Sequence, residues 1–235
     1  MKLSEKLSII IPCKNEKKNI KMVLDCLNFQ NNIDGVKVIV SDISDDEITK
    51  QYLNNRTNDR FDLIITEGGL PSVARNNGFK LVTTPYVLFL DADIFIIDNV
   101  LLSKCLQSIE LNKLELLTVR FNTTTQEYNN IYNSFYYFQK LTKHISPFCL
   151  GGFMLISSNR FKEIGGFDES AKIAEDYLLT RNIKPSKFGT INRVVHTTPR
   201  RFKNKGIFYM VKLFIGSFLN RNNEEYFKQD KGYWL

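Results

Sequence analysis

Asp91-Ala92-Asp93 sets two carboxylates one residue apart, directly after the apolar run Tyr86–Leu90. Carboxylates placed in this way can jointly face a hard divalent cation such as Mn2+ or Mg2+, which takes oxygen ligands. The apolar run would hold them near the low-dielectric interior, where unpaired carboxylates are costly and a cation relieves that cost. A second acidic pair, Glu175-Asp176, opens a helical pattern, where negative charge complements the helix dipole. Capping alone accounts for this pair. Asp176 becomes a general base only if the helix start reaches the metal rim, where it would take a proton from an attacking hydroxyl. His196 follows the run Ile191–Val195, and a lone histidine is more often structural than a ligand. Arg200, Arg201, Lys203 and Lys205 crowd a short segment. They could clamp a diphosphate, whose geometry arginine matches in a bidentate way, or form an ordinary solvated basic loop.

These groups need elements to hold them. Leu7–Pro12 is a continuous β-branched run, as expected of a strand buried on both faces. Ile20, Val23, Leu24 and Leu27 then recur at helical spacing. Val36–Ser41, Leu63–Thr66 and Tyr86–Leu90 read as further strands, and Pro71–Leu81 as a helix grouped on Val73, Ala74, Asn77 and Leu81. This alternation implies an α/β chain, with a mostly parallel sheet and helices on both faces. Ligands of such sheets sit beyond the carboxyl ends of the strands. Lys14-Asn15-Glu16, Asp42 and Asp91–Asp93 should therefore converge on one rim. Further along, Leu116–Phe121 and Phe148–Ser157 are expected strands, and Tyr128–Lys140 is an expected helix whose aromatic residues serve the core. Thr198–Gly206 reads as a basic loop, followed by an apolar helix over Ile207–Leu219.

Composition bounds the function. The 235 residues are 43% hydrophobic and 24% charged, enough for one packed domain or one with an appendage. With 32 Lys and Arg against 25 Asp and Glu, the net charge is +7. That excess is too diffuse to indicate nucleic acid, and it suits a phosphate-bearing ligand or an anionic membrane surface. Four scattered cysteines with no CxxC pair, and only two histidines, argue against a disulfide scaffold and a structural zinc site. No apolar stretch approaches a spanning length, and the opening segment lacks a secretory h-region. The expectation is a cytoplasmic protein, with the membrane surface as an alternative site of action.

In order and spacing the segments resemble glycosyltransferase family 2, whose fold is the GT-A α/β/α sandwich. Ser8–Glu16 is similar to its opening strand and nucleotide-lining loop, and Val40–Asp46 to its second acidic motif. Arg75–Gly78 and Tyr86–Asp93 resemble the helix and strand leading into its DxD. Gly151–Phe153 and Ile164–Glu169 look like acceptor-side segments, and Glu175-Asp176 with Arg181 like the segment of the base. The resemblance implies that Pro12, Lys14, Glu16, Asp42 and Arg75 line the nucleotide, with Ala92 inside the DxD and Arg200 and Arg201 closing over the diphosphate. Asp91 would face the ribose or the metal and Asp93 would bind the metal. His196 would be an added ligand, and Asp176 the base. It further implies a nucleotide-binding half over about 1–95, an acceptor half over about 96–197, and a tail over 198–235.

The implied reaction is inverting transfer from a UDP- or GDP-sugar to a saccharide or lipid-linked hydroxyl, assisted by Mn2+ or Mg2+. The tail would contact a membrane, a second copy in a homodimer, or the catalytic body. Ser41 and Ile43 stand where the family commonly has aspartate and glycine, and the QxxRW motif of processive synthases is absent. A sugar-phosphate nucleotidyltransferase and a non-catalytic carbohydrate- or nucleotide-binding protein are the alternatives.

Overall fold

The computed structural model describes residues 2–231. The first half runs β1 (Leu7–Cys13), α1 (Lys17–Asn28), β2 (Lys37–Asp42), α2 (Glu47–Asn54), β3 (Asp62–Glu67), α3 (Pro71–Phe79) and β4 (Tyr86–Leu90). Next come β5 (Ile94–Phe95), α4 (Leu101–Leu111), β6 (Leu116–Thr123), α5 (Asn129–Thr142), β7 (Phe153–Ser157), α6 (Ser158–Ile164), α7 (Glu175–Thr180) and β8 (Phe188–Thr197). The tail forms α8 (Arg200–Lys205), α9 (Ile207–Leu219) and α10 (Glu224–Lys228).

The strands make one sheet in the order β3-β2-β1-β4-β7-β6-β8-β5. Strands β1 to β4 pair in parallel, whereas β7 is antiparallel to both β4 and β6. The period of two along β1 divides the core. Ile9 and Ile11 face Leu24 of α1 and Leu106 of α4, and Ile10 faces Phe89, Phe161 and Phe167 on the other side. The expected α/β layering is borne out, with helices on both faces of the sheet.

Three local expectations are corrected. Helix α3 packs through Ser72, Ala74, Arg75 and Gly78, while Leu81 falls beyond its end and is exposed. Close approach explains this choice of small residues. A Cβ on Gly78 would stand 2.7 Å from Ile10 Cγ2 and 2.9 Å from Ser41 Oγ. Strand β7 begins only at Phe153, because Phe148–Gly152 turns away to line a cavity. The basic segment is a helix, α8: arginine and lysine are good helix formers, and Pro199 occupies the N-cap, where its missing N–H does no harm.

The aromatic helix α5 is only partly core. Tyr136 is buried and Tyr137 is exposed, while Phe135 and Phe138 meet Phe214 of α9 with ring centroids 4.9 and 5.9 Å apart. The tail lies against the body: Phe227 of α10 is fully buried among Ala171, Ile173 and Leu178. Its carbonyl accepts from the Lys172 N–H at 2.8 Å. The last four positions of the expected tail, 232–235, lie outside the described residues.

Candidate active site

Parallel register assembles the rim. Pro12 pairs with Ser41 and Cys13 with Asp42, and Ile10 pairs with Phe89, so the ends of β2, β1 and β4 lie side by side. The Asp42 carboxylate accepts from the Ser44 N–H at 3.2 Å and its hydroxyl at 2.6 Å, a turn that fixes it at the strand end. Ser41 is fully buried beneath Gly78, which accounts for a small residue where the family commonly has aspartate. Lys14 reaches Asp45 at 3.8 Å in solvent. Glu16 forms an ion pair with Arg200, which ties the loop after β1 to α8.

The deep end of the site is organised by Arg75. This residue was expected along the nucleotide. Its guanidinium lies fully buried, donating from Nη1 to Glu175 at 2.8 Å and from Nη2 to Asp91 at 2.6 Å. It also stacks 5.2 Å from the Phe167 ring. It thus brackets the two acidic motifs at the edge of the cavity. Burial opposes its charge, yet Asp91 and Glu175 hold its pKa above the ordinary arginine value. Glu175, for which capping sufficed in sequence, is thus half of this bracket.

Asp176 follows on the same first turn of α7. Ala174 just before it adopts a left-handed conformation (φ 52°, ψ 37°) that swings both acids into the site, a backbone state unfavourable for a residue with a Cβ. One oxygen of Asp176 accepts from the Gly151 N–H at 2.7 Å and the other from the Tyr177 N–H at 2.8 Å. Glycine at 151 leaves room for this approach, since a Cβ would stand 3.2 Å from that oxygen and push it by a few tenths of an ångström. The adjacent Gly152 carbonyl accepts from the Asp91 N–H at 3.1 Å. The glycine pair therefore fastens the DxD turn to the helix of Asp176. Burial, then the neighbouring Glu175 charge, push the Asp176 pKa up to about 7.

Asp93 accepts from the Thr198 hydroxyl at 3.1 Å. Burial and Asp91 raise its pKa, while Arg201 and Arg200 oppose the shift. Ala92 between the two acids is buried. His196 does not join them. Strand β8 alternates faces, so while Thr197 lines the cavity, His196 turns the other way, paired with Phe95 and Asn122, its Nδ1 buried without a partner. Among the described residues no three His, Cys, Asp or Glu side chains gather as a complete metal cage.

Arg75, Asp91, Asp93 and Asp176 all border one cavity of about 180 Å3. Its remaining walls are largely apolar and come from α5, β6, α8, α9 and the segment before β7, among them Phe121, Phe135, Phe148 and Phe214. No motif marked that wall, and only the aromatic density of Tyr128–Lys140 hinted at it.

The chain shares 37% identity over 90 residues with the amylovoran biosynthesis glycosyltransferase AmsB of Erwinia amylovora, covering 37% of this chain and 30% of that protein. It shares 35% over 96 residues with the uncharacterized glycosyltransferase YibD of Escherichia coli K12, covering 40% and 27%. The match thus spans less than a third of either relative. Among solved structures, the mannosyltransferase PcManGT of Pyrobaculum calidifontis, in complex with GDP-Man and Mn2+, superposes with a TM-score of 0.69 at 16% identity, covering 93% of this chain and 64% of that one. TarS 1-349 of S. aureus in complex with UDP-GlcNAc gives 0.61 at 21%, covering 82% and 58%. Identities this low establish the fold, the GT-A α/β type. The family model for glycosyl transferase family 2 matches residues 8–165, through both the strand-end rim and the glycine pair, and the chain belongs to that family.

Proposed function

We propose that this chain transfers a sugar, with inversion, from a nucleotide-diphosphate donor to a hydroxyl acceptor, in a reaction that depends on a divalent metal. One observation carries the reading: Arg75 joins Asp91 of the strand-end motif to Glu175 beside Asp176, so acids 85 positions apart in sequence meet in one cavity. The donor class is supported by structural neighbours crystallised with UDP-GlcNAc or with GDP-Man and Mn2+.

The donor set fits a divalent cation. Asp91, Asp93, Glu175 and Asp176 outnumber the single buried arginine among them, and burial, then the Asp91 charge, raise the pKa of Asp93. Among the described residues no third His, Cys, Asp or Glu side chain joins Asp91 and Asp93 in a cage, and two aspartates would offer a hard cation the oxygen ligands it takes. Asp91 and Asp93 would hold it, and the ion would supply Lewis-acid neutralisation of the leaving diphosphate.

This chain's own residues do the rest. Lys14, Asp42 and Pro12 border the nucleotide. Arg200 and Arg201 add positive charge beside Asp93 and exclude water from the diphosphate. Asp176 takes the acceptor proton, with its lone pairs oriented by the Gly151 and Tyr177 N–H groups. At the membrane surface, the exposed apolar side of α9 would serve as a peripheral contact.

The test is a thermal-shift screen of UDP- and GDP-sugars with and without manganese, repeated on Asp93→Ala. Metal-dependent stabilisation by one donor, lost in the variant, is expected. Equal stabilisation of the variant removes the metal role, and no response to any donor removes the transferase reading.

A further inference from the structure

Helix α7, which carries Glu175 and Asp176, is only six residues long, too short to keep its place without tertiary support. Its entry is strained, because Ala174 is left-handed at φ 52°. Such a conformation persists only where the surroundings over-determine it. From the inside, Arg75 holds Glu175 and the Gly151 N–H holds Asp176. From the outside, the support is α10. The Phe227 ring is fully buried among Ala171, Ile173 and Leu178, 6.1 Å from the Tyr177 ring. The Phe227 carbonyl accepts from the Lys172 N–H at 2.8 Å and the Ile173 N–H at 3.3 Å, and these two residues directly precede Ala174.

The far end of α7 is tied to the same tail. At its C-cap, Arg181 donates from Nη1 to the Arg221 carbonyl at 3.2 Å and from Nη2 to Glu224 at 3.1 Å. Helix α10 is itself wedged against α9: the Tyr226 hydroxyl occupies the place where a Cβ on Gly216 would stand, and Leu213 packs on the same cluster as Phe227. Helix α9 in turn rests on α5 through Phe214. The tail thus meets α7 at both ends. Ring and carbonyl of Phe227 together fix the side chains and the backbone of the segment that aims Asp176.

We propose that Phe227 is a positioning residue for Asp176: by holding residues 171–173 it keeps the left-handed turn at Ala174, and so keeps the carboxylate on the Gly151 N–H. This rests on the transferase reading and adds to it a residue from the last helix of the tail. Drift of a reacting carboxylate weighs on turnover more than on binding. The loss of Phe227 is therefore expected in kcat, with donor affinity kept.

The experiment uses the full chain, with water in place of the acceptor hydroxyl. Release of UDP or GDP from UDP-GlcNAc, UDP-glucose and GDP-mannose is followed in manganese. Calorimetry of UDP and GDP with manganese counts the folded sites, and amide exchange by NMR follows Gly151. Phe227→Ala should lower kcat per nucleotide-binding site by at least about tenfold, with donor KM within about twofold of wild type. Its Gly151 amide should exchange at least about tenfold faster. Phe227→Leu, which keeps an apolar knob, should recover most of both. Arg181→Gln leaves the buried ring in place and loosens only an exposed tie, so the same split should appear at about twofold to threefold. That variant carries the test if Phe227→Ala does not fold. A fall in turnover matched by the loss of nucleotide-binding sites, a KM that rises as much as kcat falls, or Gly151 exchange at the wild-type rate would each overturn the proposal. If the wild type releases nucleotide from no donor, the transferase reading fails, and Gly151 exchange alone decides whether Phe227 places Asp176.

Discussion

The ends of β1 and β2 and the end of β4 with the start of α7 are built from the same kinds of charged residue in opposite surroundings. Lys14 and Asp45 pair at 3.8 Å with side chains 60% and 77% exposed. Arg75 and Glu175 pair at 2.8 Å with side chains 2% and 8% exposed. Exposed pairs contribute about 0–1 kcal/mol, and their side chains stay free to reorganise around a ligand. Breaking a buried pair leaves an uncompensated charge, at about 3–5 kcal/mol. The rim at the ends of β1 and β2 is therefore adaptable, and the cluster around Arg75 is prebuilt.

The sharpest way to test that contrast is Asp176→Asn. Turnover should fall by roughly 10²–10⁴-fold, the usual share of a general base, while donor affinity by calorimetry stays near wild type. In the wild type, transfer should rise with pH through an acidic limb near 7, where the Asp176 carboxyl ionises, and then level. The stability effect has the opposite sign. Folding raises this pKa, so the favourable contribution of the protonated form is complete below the unfolded value near 4 and is lost as pH rises through about 7. The melting temperature of Asp176→Asn relative to wild type should therefore improve between pH 4 and 7. A difference unchanged over that range would contradict the buried, raised carboxyl.

Next in size is Arg75→Met, which strands Asp91 and Glu175. It should cost about 3–5 kcal/mol, seen as a fall in Tm of roughly 10 °C for a chain of this length. Loss of nucleotide binding with full stability would instead return Arg75 to the nucleotide. Gly78→Ala should destabilise by about 1–3 kcal/mol through overpacking of α3 on β1, without altering the pH profile. Gly151→Ala displaces Asp176 by a few tenths of an ångström. It should reduce turnover by about tenfold, with donor affinity kept, since small misplacements weigh heavily on reacting geometry. The smallest effect belongs to Lys14→Ala, with a stability change under about 0.5 kcal/mol in a denaturant titration. A large loss there would mean that the open rim is as prebuilt as the buried cluster.

The parallel half was legible because its signals are local. Leu7–Pro12, Val36–Ser41 and Tyr86–Leu90 are apolar runs each ending in a polar group, and the structure places those groups on adjacent strand ends. The roles of Arg75, Glu175 and Gly151 were less legible, since each depends on a partner far away in sequence. His196 illustrates the same limit: its distance from Asp176 along the chain admitted a ligand, and the alternation of β8 turned it away. The aromatics of α5 looked like core because residue type alone does not say whether a ring faces a sheet or a cavity.

By itself, the sequence determined the strand–helix alternation, the carboxylates at strand ends and the apolar length of α9, because periodicity and residue type act over a few neighbours. The tertiary structure decided which charges are bracketed by Arg75, which face of β8 meets the site, and that α9 walls a cavity beside Asp176. Those outcomes depend on packing among distant segments, where burial makes an ion pair or an aromatic wall favourable only once its partner is in place.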